Sequence, residues 1–348
     1  MPLEIGGRRI GSNRPVFVIA EIGLNHGGSV ERALALVDAA ALAGATAVKL
    51  QTLYADTLVA PHCPAPAHVK VASLREFFRA FELGADEHRQ VVGRARTHGL
   101  AVMSTPFCEE AIPMLDTLGI DAYKIASGDL TNTGLIARAV ATGRPLVIST
   151  GMADLSEVHT AVRVARDAGA SGLAILHCVS AYPVPPDAQN LRAIVTLAEA
   201  TGLPTGLSDH GPGLLSAIAA AALGGCIYER HLVASHDDDG IDRAVSSTPA
   251  QLRAIVDTLA LTLLALGDGV KACLPAEAAN KVPSRRGLYA IRSLQRGDTL
   301  TVDDIAVLRP ASELDPSHRD LLAGTTLTRD VPAGDPFVTA DLAVMETT

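Results

Sequence analysis

The chain has 348 residues, of which 48% are hydrophobic and 19% charged, a balance that can bury a sizeable core and excludes disordered and collagen-like chains. Aromatic residues make up only 3%, with no Trp, which argues against stacking platforms for nucleobases and against an aromatic-lined carbohydrate groove. The formal net charge of −9, from 29 Lys+Arg against 38 Asp+Glu, disfavours nucleic acid and anionic membrane as partners, and leaves room for a small anion where a few cations converge.

The N-terminal MPLEIGGRRIGSNRP has no apolar core of signal-peptide type, and no run of about 18 uninterrupted apolar residues occurs, so neither a secretory signal nor a membrane span is expected. From residue 16 to 270, short β-branched runs ending in a polar residue alternate eight times with Ala/Leu-rich segments of helical period. Predicted strands cover 16–22, 46–50, 100–104, 121–125, 145–149, 173–177, 204–208 and 226–232. Predicted helices include 29–44, 85–99, 154–169 and 212–225, with Ser29 and Asp154 as N-caps and Gly44, Gly99 and Gly225 as stops. Eight β-then-α units over residues 1–270 are the arithmetic of a (β/α)8 TIM barrel. A doubly wound sheet is the alternative, but no GxGxxG turn follows the first strand. Residues 271–284 read as a linker and 285–348 as a small β-rich domain, in which LQRGDTLTVDDI (294–305) echoes VPAGDPFVTADL (331–342). A domain of that size has a marginal core, so it is expected to pack against another surface. The cysteines, Cys63, Cys108, Cys178, Cys226 and Cys273, form no CxxC pair and fit a reducing cytoplasm.

A TIM barrel gathers its active site where the strands end. Those ends carry Glu21, Lys49, Ser104 with Thr105, Lys124, Ser149 with Thr150, His177, Ser208 with Asp209 and His210, and Glu229 with His231. Two lysines among hydroxyls suit the phosphate and carboxylate of a small anion such as phosphoenolpyruvate. Alternatively, one lysine of depressed pKa forms a Schiff base, as in an aldolase. Glu229 and His231, two apart on one strand, face the same side. His210 ends the neighbouring strand, so the two imidazoles can share a divalent metal, manganese or magnesium, with water and substrate oxygens completing it. His177 reads as a hydrogen-bonded core histidine, and His236 with Asp237, Asp238 and Asp239 as a solvated loop.

Read together, AEIGLNHGG (20–28), AVKLQT (47–52), STPF (104–107), YKIASGDLTN (123–132), VISTGM (147–152), LHCVSAYPVP (176–185), GLSDH (206–210) and YERH (228–231) resemble the sialic acid synthase family, phosphoenolpyruvate-dependent synthases of nine-carbon sugar acids. SRRGLYA and RGDTLTVDDIAVLRP resemble that family's C-terminal antifreeze-like (SAF) domain. The resemblance implies phosphoenolpyruvate held by Lys49, Thr105, Lys124, Ser127, Ser149 and Ser208, with Ser180 and Tyr182 lining the same mouth. It implies manganese on His210 and His231, Glu21 and Glu229 at the acceptor or the attacking water, and Asp242 at the acceptor. It also implies a domain-swapped homodimer in which Arg309 caps the partner subunit's site. Two departures stand out: GIDRAVS (240–246) replaces the family's GPDHKAS, and 59–78 lacks the Ala-Glu-Tyr-Gln stretch and the asparagine expected beside an N-acetylmannosamine acceptor. The expected reaction is thus condensation of phosphoenolpyruvate with an aldose or related aldehyde. The alternatives are a Schiff-base pyruvate aldolase and a non-catalytic sugar-acid binding protein.

Overall fold

The computed structural model describes residues 3–64 and 73–341, and the chain divides into two compact units, Met1–Gly267 and Asp268–Thr348. In the first, a hairpin of β1 (Leu3–Ile5) and β2 (Arg8–Ile10) precedes eight parallel strands: β3 (Phe17–Gly23), β4 (Ala47–Thr52), β5 (Ala101–Pro106), β6 (Ala122–Ile125), β7 (Leu146–Ser149), β8 (Leu173–Cys178), β9 (Thr205–Asp209) and β10 (Ile227–His231). They close in chain order, β10 pairing with β3, as the TIM-barrel reading expects. Each strand matches a predicted run to within a residue or two, because a strand covered on both faces reads as a near-continuous apolar run. Inside the barrel, Leu3, Ile5 and Ile10 of the hairpin share one apolar cluster with Phe17, Ile19 and Met103. That plug fills the N-terminal end and leaves polar chemistry to the opposite one.

The helices are α1 (Val30–Leu42), α2 (Ala55–Leu58), α3 (Leu74–Arg79), α4 (Ala85–Thr97), α5 (Ala111–Leu118), α6 (Thr133–Val140), α7 (Leu155–Asp167), α8 (Ala193–Thr201), α9 (Leu215–Ala222) and α10 (Pro249–Leu266). Ser29 caps α1 by accepting the Arg32 N–H at 3.2 Å. Asp154 caps α7 by accepting from Ser156 and Glu157, while Glu157 returns a bond to the Asp154 N–H. Gly44 and Gly99 stop their helices in the left-handed region, φ 81° and 68°. The stop after α9 is Gly224 (φ 89°) rather than the predicted Gly225; a Cβ at Gly225 would stand 2.8 Å from the Ala220 carbonyl, so close approach requires that glycine. By length and composition α10 could cross a membrane; it packs against α1 and α9, burying Leu252, Ile255 and Leu259.

In the second unit, residues 275–284, read from sequence as linker, form α11 (Pro275–Ser284). Pro275 occupies its first turn and Glu277 accepts the Leu274 N–H at 3.0 Å, a start signal that an Ala/Glu/Lys-rich stretch can follow into a helix. β11 (Gly287–Ala290) pairs antiparallel with β12 (Ile305–Leu308). The two echoing passages pair with each other: Leu294 and Val331 exchange N–H···O bonds of 2.8 and 2.9 Å. Leu288, Leu294, Leu300, Ile305, Val331 and Phe337 belong to a core of the unit's own. Residues 342–348 of this domain, and 65–72 within the divergent stretch 59–78, lie outside the described residues.

Candidate active site

A cleft of about 530 Å³ opens at the C-terminal end of the barrel. Glu21, Lys49, Thr105, Lys124, Ser127, Ser149, Ser180, Tyr182, Ser208, His210, Glu229, His231 and Asp242 all line it. Arg309 belongs to the second unit, exposed just past β12.

The strands place these groups by parity, since every second residue faces inward. Lys49 of β4 forms a contact ion pair with Glu21 of β3, lies 3.6 Å from Glu229 Oε2, and donates to Thr105 Oγ1 at 3.3 Å. Lys124 of β6 donates to Ser149 Oγ at 2.6 Å and to the Ile125 carbonyl at 3.2 Å, with Glu229 Oε1 at 3.7 Å. Glu229 thus spans the two ammonium groups while accepting from Ser208 at 2.9 Å. Burial pushes the Glu229 carboxyl up, but the fields of Lys124 and Lys49 outweigh it and hold the group below its ordinary range. Glu21 Oε1 is buried without a hydrogen-bond partner.

Beside this floor, Gly151 donates its N–H to Ser127 Oγ at 2.9 Å. A Cβ at Gly151 would come 2.7 Å from that oxygen and closer still to Ser180 Oγ, so the bare backbone leaves an open cradle between two hydroxyls. The His210 and His231 rings lie 5.5 Å apart, and Tyr182 packs on His210 at 4.3 Å. His210 Nδ1 donates to the Val179 carbonyl at 3.0 Å, which leaves a lone pair on Nε2. His231 Nδ1 is buried without a hydrogen-bond partner, 3.5 Å from Asp242 Oδ2. Burial pushes the Asp242 carboxyl up, against the fields of His210 and Lys49. Two free imidazole nitrogens fit a divalent cation. Among the described residues no group of three protein ligands exists, so water and substrate oxygens would complete its shell.

Not every strand-end residue faces inward. His177 turns outward and bonds the Gln189 carbonyl at 2.8 Å, the core role read from sequence. Ser104 turns outward to Thr52 at 2.7 Å. His236 bonds Gln251 at 3.0 Å and Asp239 bonds Arg32 at 2.7 Å, so the acidic loop is laced to surface neighbours.

Other residues of the site were missed in the sequence. Asn25 accepts the Asp242 N–H at 3.0 Å and donates to the Leu232 carbonyl and Ser246 Oγ at 2.9 Å each, tying the loop after β10 back to β3. Its signal was the AEIGLNHGG segment itself. Leu24, Phe77, Phe78, Phe107 and Ile241 give the cleft an apolar wall; α3 supplies two of these aromatics from a stretch with no strand-end signature.

The NeuB family profile matches residues 36–271 and the SAF domain profile residues 285–343. The N,N'-diacetyllegionaminic acid synthase of Legionella pneumophila is 34% identical over 333 residues, covering 93% of this chain and 94% of that protein. A pseudaminic acid synthase of Campylobacter jejuni is 30% identical over 344 residues, covering 97% and 99%. The crystal structure of the N-acetylneuraminic acid (sialic acid) synthetase of Leptospira borgpetersenii in complex with citrate superposes with a TM-score of 0.73 at 32% identity, covering 80% of this chain and 95% of that one.

Proposed function

The chain belongs to the NeuB family of sialic acid synthases, and from that premise we propose that it joins phosphoenolpyruvate to the aldehyde carbon of an aldose, giving a 2-keto-3-deoxy sugar acid and phosphate. The observation that carries the reading is the lysine floor: two buried ammonium groups, Lys49 and Lys124, 3.6 and 3.7 Å from one carboxylate and surrounded by hydroxyls. Such a floor grips a small molecule bearing phosphate and carboxylate together.

In the reaction, the double-bond electrons of phosphoenolpyruvate form the new bond from its third carbon to the aldehyde carbon, leaving cationic character at the second carbon. The aldehyde's C–O π pair moves to its oxygen, which becomes a hydroxyl by taking one of the two protons released in the steps that follow. Water adds there and gives a proton to Glu21, whose Oε1 is free to accept it. The bond from the second carbon to the bridging oxygen then breaks, phosphate leaves with that oxygen, and the remaining hydroxyl gives up its proton to become the ketone. Lys49 and Lys124 donate hydrogen bonds to phosphate and carboxylate throughout.

His210 and His231 would hold a divalent cation, manganese in preference to magnesium because imidazole nitrogen suits the softer ion. When bound, that cation supplies Lewis-acid polarisation of the aldehyde oxygen and positive charge. Charge balance supports it: Glu21 and Glu229 already offset the two lysines. The apolar wall supports an acceptor with acyl or deoxy substituents facing Phe77 and Phe78, and Asp242, which lines the same cleft, offers it a polar contact. Exposed Arg309 on the SAF unit supports a homodimer in which that side chain caps the partner's site. Five free cysteines support a reducing cytoplasm. A Schiff-base reading has one observation in its favour, the depressed Lys49 ammonium, set against its contact ion pair with Glu21. Burial pushes the Lys49 ammonium down to about 8, and at neutral pH it stays protonated against Glu21.

The test is a panel of acylated and unacylated aldoses incubated with phosphoenolpyruvate and Mn2+, with phosphate release as readout and a chelator arm. Oxygen-18 at the bridging position should appear in the phosphate, and borohydride with pyruvate should trap no lysine. Phosphate release from no aldose, or a trapped Lys49 or Lys124 adduct, would overturn the reading.

A further inference from the structure

The ladder between β9 and β10 ends at the pair Asp209 and Arg230, one residue before the two histidines. His231 still pairs with Glu21 of β3, but His210 has no ladder partner, so strand pairing alone does not fix its distance from His231. Asp209 and Arg230 alternate with the inward residues and therefore face away from the cleft. Both are buried, 3% and 5% exposed.

Arg230 Nη1 lies 3.1 Å from Asp209 Oδ2. The same nitrogen donates to the Gly211 carbonyl and, at 3.4 Å, to the Asp209 carbonyl, gripping the chain on each side of His210. Its Nε donates to Ser247 Oγ at 3.0 Å, and Ser247 donates its N–H to the His231 carbonyl at 2.8 Å. Asp209 Oδ1 accepts the Gly211 N–H at 2.7 Å, closing a turn around His210, and Oδ2 takes the hydroxyls of Ser216 and Tyr228. One guanidinium therefore ties the backbone that presents both imidazoles. Only a rigid fork with several donors spans acceptors on two separate segments, 209–211 and Ser247, in this way, whereas an ammonium on a flexible stem does not. A buried ion pair is a weak device for stability and a better one for holding geometry.

We infer that Arg230, with Asp209 as its partner, is a positioning residue that sets the spacing of the His210 and His231 imidazoles from outside the barrel. The inference rests on the reading that these two histidines hold a divalent cation.

The experiment measures Mn2+ binding directly, by the electron-paramagnetic-resonance signal of free Mn2+, on the whole chain and on three variants. Arg230→Met leaves Asp209 with three of its donors. Asp209→Asn/Arg230→Met removes both charges and carries the test where the single variant folds poorly. Ser247→Ala removes one hydroxyl and no charge. The expected result is a Kd for Mn2+ raised about tenfold to hundredfold in the arginine variants and less in Ser247→Ala, with far-UV circular dichroism unchanged. The KM for phosphoenolpyruvate at saturating Mn2+ should stay close to that of the unmodified chain, a split that general loosening of the fold would not produce. Unchanged Mn2+ affinity in a folded arginine variant overturns the inference and leaves the proposed function standing. Failure of the unmodified chain to bind Mn2+ overturns the metal reading, and the inference with it.

Discussion

Burial strips water from the Lys49 ammonium and pushes it down to about 8, against the pull of Glu229 and with a further push from Lys124. The protonated form is the one that binds an anion, so its grip is complete below that value and lost as pH rises through it. The kcat/KM for phosphoenolpyruvate should therefore fall above pH 8, with a slope on a logarithmic plot approaching about −1. Lys49→Arg keeps its charge and should abolish that limb even where it lowers the plateau; the pH–rate profiles of the two proteins check it, and a limb at the same pH in the arginine variant would refute the assignment. At this scale the sequence was most informative about charged residues that end strands, since a barrel needs no buried Lys or Glu for its core and Glu21, Lys49, Lys124 and Glu229 stood out for that reason. Asn25 and Gly151 work through hydrogen bonds and empty space, and neither property shows in a residue's type.

Gly151 belongs to the loop between β7 and α7, and that loop works because a strand delivers Ser149 to the cleft while the capping box at Asp154 begins the helix a few residues on. Between them the backbone must pass close to Ser127 and Ser180. Gly151→Ala should fill the cradle and raise the KM for phosphoenolpyruvate by about tenfold, roughly one lost hydrogen-bond geometry, with little change in Tm because α7 keeps its cap. Steady-state kinetics with a thermal melt separate the two effects; an unchanged KM would show that the cradle holds no anion. Elements were legible wherever one local signal sufficed: apolar runs for the strands, Ser29 and Asp154 for helix starts. Legibility failed where the answer depended on a neighbour. Ser104 ends a strand like Lys49 does, yet parity turns it outward, and one residue of register decides it. The stop after α9 fell to Gly224 because Gly225 answers to the Ala220 carbonyl.

For the whole molecule, the proposed trans arrangement makes a prediction that no single residue of the barrel can make. Arg309→Ala should raise the KM for the acceptor more than that for phosphoenolpyruvate, because the lysines that hold the latter remain. Mixing Arg309→Ala with Lys124→Ala subunits under exchange should restore up to about a quarter of full activity, since half of a random mixture is heterodimer with one intact site in two. A fully active monomer, or no recovery despite proven exchange, would refute the arrangement. The order of the chain carries another consequence. Glu21 on the first barrel strand stands in register with His231 on the last, and Asn25 reaches across the same junction to the loop that bears Asp242. The two glutamates and the two histidines of the cleft stand at or beside the seam where the cylinder shuts. A chain still emerging from the ribosome holds its lysines long before it holds a completed pair of histidines, so every unfinished copy is silent. Opening of that one seam in the finished protein would switch off turnover while most of the secondary structure persists, making enzymatic activity a more sensitive reporter of barrel closure than any spectroscopic measure of its helices.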